Sequence, residues 1–427
     1  MFPKKCKPIL LAAVPLAILP LAAVWLALRP APPMAWGFFG HRKINRQAVF
    51  TLPPEMLVFY KKNIDYVTEH AVDPDMRRYA SKHEAPRHFL DLDRYGEPPF
   101  DNLPRTWTDA LMQYFQYFYV NERGDTLRLV TEPITEKTDS LALNARLAKG
   151  SNGLNSTGIT RKDFRHFFNQ NILPLYYGDD AWEVLCDSFA NLLGGVRLNC
   201  QVVFVVDTFS QHGVLPYNLE QMLKRLTDAF VERDARKILR HSADIGHYIA
   251  DAHVPLHTSA NYNGQLTGQD GLHAFWESRL PELYADENYD FWVGQAEFIA
   301  KPKEYFWNIV LTSNSLVDSV IGIERALRSE FPTDRQLCNE YRNNVFVKTQ
   351  CEDFAAAYHE RMGGMVEARM SASIAAVGSA WFTAWVLAGQ PDLSRLGDET
   401  ATLPDSTELE LKKAVQGGKQ LGRGHEN

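Results

Sequence analysis

Apolar residues recur at spacings of three and four along most of the chain, and strand-like alternation is scarce, so the pattern predicts a mostly α protein. Helices are expected over 53–66 and 107–119. The strongest signal covers 219–252, where Met222, Leu223, Leu226, Phe230, Ile238, Ile245 and Ile249 form one stripe that Pro255 closes. The apolar segment 354–387 carries small residues on several faces, the pattern of a buried helix or helical pair. Residues 123–213 read differently. TLRLVTEPI and CQVVFVV look like short strands and KGSNGLNSTG like a loop, which predicts an insertion of mixed structure in a helical domain spanning 36–388. No repeat of solenoid length is visible. The tail over 389–427 is polar with repeated glycine and is expected to fray.

The first 35 residues change the picture. Lys4, Lys5 and Lys7 precede a nearly uncharged run over 8–28, and Arg29 and the segment APPMA follow it. That is the layout of an export leader, with a retained membrane anchor through 8–28 as the alternative. Removing Lys4, Lys5, Lys7 and Arg29 with the leader takes the net charge from −7 to −11. An acidic, exported product is not built to be steered onto long nucleic acid. Cys6 leaves with the leader, whereas Cys186, Cys200, Cys338 and Cys351 stay. An even number suits an oxidising compartment, periplasmic or extracellular, and Cys338 with Cys351 is the candidate pair.

The chemistry is concentrated in HYIADAHVPLH followed by GLHAFWES, which holds His247, Asp251, His257, His273 and Glu277, all of zinc-ligand type. His247 and Asp251 are four apart on the strongest predicted helix, so both leave the same face one turn from each other. His273 and Glu277 repeat the spacing on the helix expected next. Pro255 ends the first helix before His257, and NYNGQLTGQDG is a connection that lets the second helix fold back. Any one such pair reads more readily as a surface ion pair or a satisfied core contact, whereas the full series points to metals. His241 and Asp244, upstream on the same helix, read as structural or as outer supports of the ligands.

The H-x3-D-x5-H core with a later H-x3-E resembles the superfamily of bacterial zinc-dependent phospholipases C and fungal single-strand-specific zinc nucleases. Two earlier motifs carry the same resemblance: WGFFGH, with Trp36 and His41, and RHFLD, with His88. It implies a multi-helix bundle around three zinc ions. His88, His247, Asp251 and Asp75 would hold the first, and His257, His273 and Glu277 the second. The third would fall to His41, a bridging Asp251, and the amino nitrogen and carbonyl of Trp36. The latter role requires cleavage between Ala35 and Trp36, since only a free amine has the lone pair to bind. The acidic ligand before His88 is Asp75 or Asp73 in VDPDMRR. Asp75 is preferred because Asp75 and Arg78 match the D-x-x-R arrangement of the nuclease branch.

The resemblance implies phosphodiester hydrolysis by a metal-activated water, with Asp75 orienting that water and Arg78 either clamping a phosphate oxygen or lying on a solvated helix surface. Glu277 in place of Asp, the short gap from His257 to His273 and the acidic mature chain favour a phospholipid substrate. Trp276 and the pair Asp75, Arg78 favour single-stranded nucleic acid, which would need a stacking aromatic such as Tyr262 or Phe275. A third reading is a non-catalytic, zinc-stabilised exported binding protein. No obligate protein partner is implied.

Overall fold

In the computed structural model, residues 38–144, 156–176, 181–342 and 345–396 are described, together with 411, 413–415, 417 and 421. The expected leader, Trp36 and most of the polar tail lie outside them. The described chain is mostly helical, as the periodicity predicts. Its helices are α1 Phe38–Ala48, α2 Pro54–Lys62, α3 Ile64–Glu69, α4 Asp73–Arg77, α5 Trp107–Tyr114, α6 Arg161–Asn171, α7 Leu215–Glu232, α8 Ala235–His253, α9 Pro302–Asn314, α10 Val317–Glu330, α11 Glu352–Arg361 and α12 Met365–Leu387. A composite helix over 272–284 lies between α8 and α9.

Helix α8 is the axis of the fold. Every residue from Ser242 to His253 is buried, and α8 packs against α7, α12 and α1. The stripe expected over 219–252 is real, but it is two helices. Arg233 adopts a left-handed conformation (φ 56°), and the Asp234 carboxylate accepts from the Lys237 amide at 3.1 Å, so one helix stops and the next is capped. The apolar stretch 354–387 is a helical pair, α11 and α12, turned by Gly363 and Gly364 at φ 57° and 81°. Trp381 on α12 donates to the Ser242 carbonyl of α8 at 3.0 Å and stacks on Tyr60, which fixes α12 in the core.

The helix expected over 107–119 ends early. After Tyr114 the run QYFYV becomes strand β1 (Gln116–Val120), whose residues all pair with β6 (Val202–Val206). Aromatic and β-branched side chains on a half-buried sheet outweigh a short helical period here. The strand-bearing segment therefore begins at Gln116 rather than 123. Its antiparallel sheet runs β2 (Thr126–Arg128), β1, β6, β5 (Ala181–Val184). A small ribbon joins β3 (Ser140–Leu143) to β4 (Ser156–Thr160), so part of the expected loop is strand. A second ribbon joins β7 (Leu337–Arg342) to β8 (Val345–Gln350). The expected Cys338–Cys351 disulfide is present, and so is Cys186–Cys200, which the sequence reading left unpaired.

Candidate metal centre

Each ligand-type side chain is delivered by an element with a local reason to hold it. On α8, His247 and Asp251 leave one face a turn apart, as their spacing requires. Helix α1 brings His41 against them, with its ring stacked on His247 at 3.9 Å. That approach depends on Gly246: a Cβ there would fall 2.0 Å from Asn45 Oδ1, and Asn45 clamps α1 by donating to the carbonyls of Ala243 and Val67. His88 and His257 sit on short 3-10 turns entered through Pro86 and Pro255. The two turns are zipped together, because His257 Nδ1 donates to the His88 carbonyl at 2.6 Å and the Leu90 amide donates to the His257 carbonyl at 2.9 Å. His273 precedes a π-helical turn, Phe275–Arg279, that carries Glu277. Such turns are frequent at functional sites.

The side chains converge in three groups that could hold metal ions: Asp75, His88 and His247 first, His257, His273 and Glu277 second, and His41, His247 and Asp251 third. In the first, His88 Nδ1 and His247 Nε2 are 3.0 Å apart, and Asp251 Oδ2 lies 2.9 and 3.2 Å from them. Asp75 Oδ1 lies 3.7 and 3.9 Å from the same two nitrogens. In the second, His257 Nε2, His273 Nε2 and Glu277 Oε2 are separated by 2.8, 3.3 and 2.7 Å. The third centres on His41, whose Nε2 lies 3.6 Å from Asp251 Oδ1 and 3.4 Å from Glu277 Oε1. A tetrahedral site with arms of about 2.0–2.1 Å has edges of about 3.3 Å, and these donor separations fall on either side of that value, from 2.7 to 3.9 Å.

Two carboxylates join the groups. Asp251 turns Oδ2 to the first and Oδ1 to the third, and Glu277 turns Oε2 to the second and Oε1 to the third. The sequence reading assigned bridging to Asp251 alone. Asp251 is fully buried and its Oδ1 makes no hydrogen bond among the described residues, an arrangement that costs free energy unless a cation or imidazolium compensates it. Burial disfavours its charge, yet His247, His257 and His88 hold its carboxyl well below the ordinary range. Glu277 is likewise held low, by His257 and His273 against its burial. Burial opposes a charge on His41 too, but Glu277 and then Asp251 raise its pKa to about 9.

Tautomers follow from the outer contacts. His247 Nδ1 donates to the Ala71 carbonyl at 2.8 Å, and His257 Nδ1 to that of His88, which leaves each Nε2 lone pair facing its group. His88 turns its other nitrogen to Glu84, 3.7 Å away. Glu84 is buried and is held by Arg87 at 2.8 Å, by Arg77 and by the Tyr248 hydroxyl, which donates to it. The sequence reading missed Glu84, although its separation of four from His88 repeats the spacing of the two pairs it recognised.

Asp75 is buried beside the first group, whereas Asp73 pairs with His70 at 2.7 Å. Arg78 is buried, not solvated, with Nη1 3.6 Å from Asp75 Oδ1. Asp244 binds Arg77 at 3.0 Å, so it braces the Glu84 cluster. Phe275 is buried between Phe354 and Tyr358 and offers no stacking face, while Tyr262 lies half-buried against His273. Trp36 lies outside the described residues. Compared with known proteins, the chain matches no protein-family model and shows no significant similarity to a curated protein.

Proposed function

We propose that the protein is a zinc-dependent phosphoric ester hydrolase of phospholipase C type. The observation that carries this reading is the set of three donor groups joined through Asp251 and Glu277. Clustered imidazole and carboxylate donors without thiolate suit zinc. His88, His247, Asp251 and Asp75 would hold one ion, and His257, His273 and Glu277 a second. His41 would hold a third with the shared carboxylates and Trp36. Bound there, the ions would supply Lewis acidity that activates water near neutral pH and neutralises phosphoryl oxygens.

The chain's own residues supply position and charge. Asp75, at the edge of the first group, would orient the attacking water and accept its proton. Arg78, beside Asp75, would take a phosphate oxygen as charge accumulates. Glu84 would keep His88 turned so that Nδ1 faces the group. A phospholipid substrate fits Glu277, the short interval between His257 and His273, and the acidic chain. Single-stranded nucleic acid is the second reading, favoured by the buried Asp75, Arg78 pair and by Tyr262 beside His273.

The test is metal analysis of the purified mature protein, with phosphatidylcholine and a single-stranded oligonucleotide assayed side by side. Zinc-dependent release of a phosphorylated headgroup is expected. Full zinc content with no hydrolysis of either substrate would overturn the reading in favour of a zinc-stabilised binding protein.

A further inference from the structure

The β7–β8 hairpin is fixed at its base and along one face, and its other face is open. The Cys338–Cys351 disulfide ties the base. Glu340 on the inner face accepts from Arg279, with Nη2 and Nη1 at 2.5 and 3.2 Å, and Arg279 Nη2 also reaches the Gln350 carbonyl at 3.3 Å. Arg279 is buried and lies two residues after Glu277 on the π-helical turn, so the hairpin is attached to the helix that delivers two candidate ligands. A two-stranded ribbon is marginal by itself, and these attachments supply the rigidity it lacks.

Period-two alternation puts Leu337, Asn339 and Tyr341 on the outer face of β7, with Phe346 and Lys348 beside them on β8. The register sets Tyr341 opposite Phe346 and Asn339 opposite Lys348. Tyr341 is 63% and Phe346 74% exposed, with ring centroids 5.0 Å apart at the turn end of the ribbon. Charge adds a second observation. Glu340 is the sole acid in 337–350 and is bound by Arg279, while Lys348 stands exposed on the outer face with the two rings. An exposed aromatic pair with a lysine on the same face thus stands on a chain of net charge −7.

A Tyr ring settles at the headgroup level of a bilayer, where its apolar body and its hydroxyl are both satisfied, a Phe ring beside it adds apolar area to bury at the acyl boundary, and a neighbouring lysine is drawn to lipid phosphates. Nucleic-acid stacking needs ring faces lining a basic groove, whereas these two rings stand on the open face of a two-stranded ribbon and pack on each other. We propose that the β7–β8 hairpin is an interfacial anchor that seats the candidate metal centre on a phospholipid surface. For its consequence in catalysis this rests on the phospholipid reading given above, but lipid binding is measurable without hydrolysis.

The test is sedimentation of the full mature protein with vesicles of mixed phosphatidylcholine and phosphatidylglycerol, comparing wild type with the double variant Tyr341→Ser, Phe346→Ser. Both side chains are exposed, so the variant should melt with the wild type. Its partition onto vesicles should weaken at least about tenfold, with hydrolysis of monomeric short-chain phosphatidylcholine unchanged. Phe346→Trp should retain binding, and its emission should shift to the blue on vesicles. Equal partition of wild type and double variant, or no partition of the wild type, would overturn the anchor. So would loss of oligonucleotide binding in the double variant with vesicle binding intact. Vesicle binding that depends on the hairpin, in a protein that hydrolyses neither substrate, would support the anchor and sink only the hydrolase reading.

Discussion

Asp251→Asn is the substitution most informative about the centre, because it keeps shape and packing while removing one charge shared by two groups. Oδ2 lies 2.9 Å from His88 Nδ1 and 3.2 Å from His247 Nε2, and Oδ1 lies 3.6 Å from both His41 Nε2 and His257 Nδ1. An amide offers one neutral acceptor and one donor, so at least one group receives an N–H where it needs a lone pair. Losing a carboxylate that merely supports a ligand costs about 10- to 100-fold in metal affinity, so losing the ligand itself costs about 100-fold or more at each group. That is about 3 kcal/mol per site and about 6 kcal/mol over both. The His257, His273, Glu277 group does not use Asp251 and would keep its ion. Elemental analysis after dialysis at fixed free zinc should therefore find about one ion per variant chain where the wild type holds about three, with turnover lost alongside. Zinc should also raise the melting temperature of the variant less than that of the wild type, since an ion stabilises only the fold that binds it. Three retained ions with normal turnover would refute the assignment of Asp251 as the shared ligand.

Three further outcomes test the surroundings. Asp75→Asn should cut zinc content and reduce turnover by about 100-fold or more, whereas Asp73→Asn should stay within a few-fold of wild type because it loses only the His70 contact; the reverse order in a parallel assay would move the ligand to Asp73. Glu84→Gln should weaken zinc binding about 10- to 100-fold in competition with a chromophoric chelator, and an unchanged affinity would deny that Glu84 orients His88. Away from the centre, burial pushes the Glu220 carboxyl up to about 7 against the opposing pull of Lys303. Its folded pKa thus lies above its unfolded one, so the favourable contribution is complete below about 4.5 and is lost as pH rises through about 7. Glu220→Gln should gain about 1 kcal/mol at pH 8, allowing for partial exposure, and nothing near pH 4; urea melts with the same difference at both pH values would contradict this.

What the sequence made legible follows from how far each signal reaches along the chain. The His247, Asp251 pair could be read because a helix converts a separation of four into a shared face, and Pro255 with the glycine-rich connection announced the fold-back to His273 and Glu277. The sequence preferred Asp75 over Asp73 through the resemblance alone, because both lie on the short helix α4 and it is packing that puts one beside His88 and the other beside His70. The break at Arg233 was hidden because the apolar stripe continues in phase across it. The strand at Gln116–Val120 was hidden because its reason is a pairing with Val202–Val206, more than eighty residues away. Glu277 as a second bridge was likewise invisible, since the approach of α1 that brings His41 to its other oxygen depends on the fit of Asn45 over Gly246.

That fit ties the candidate centre to the whole helical core. Its described donors come from α1, α4, the turn at Ala85–His88, α8, the turn at Pro255–Thr258 and the composite helix, so no one segment forms a complete group. The first group needs residues from Asp75 to His247, and the third needs residues from His41 to Asp251. Only the second, His257, His273 and Glu277, is contained within twenty-one consecutive residues. Closing a short loop costs less entropy than closing a long one, so the second group can form while the rest of the core is still loose, whereas the first and third require α1 and α8 already packed. Ion binding at those two groups therefore reports on the native packing of α1 against α8. A substitution such as Gly246→Ala, which puts a Cβ into Asn45, should weaken them and spare the second, although Gly246 touches no ion.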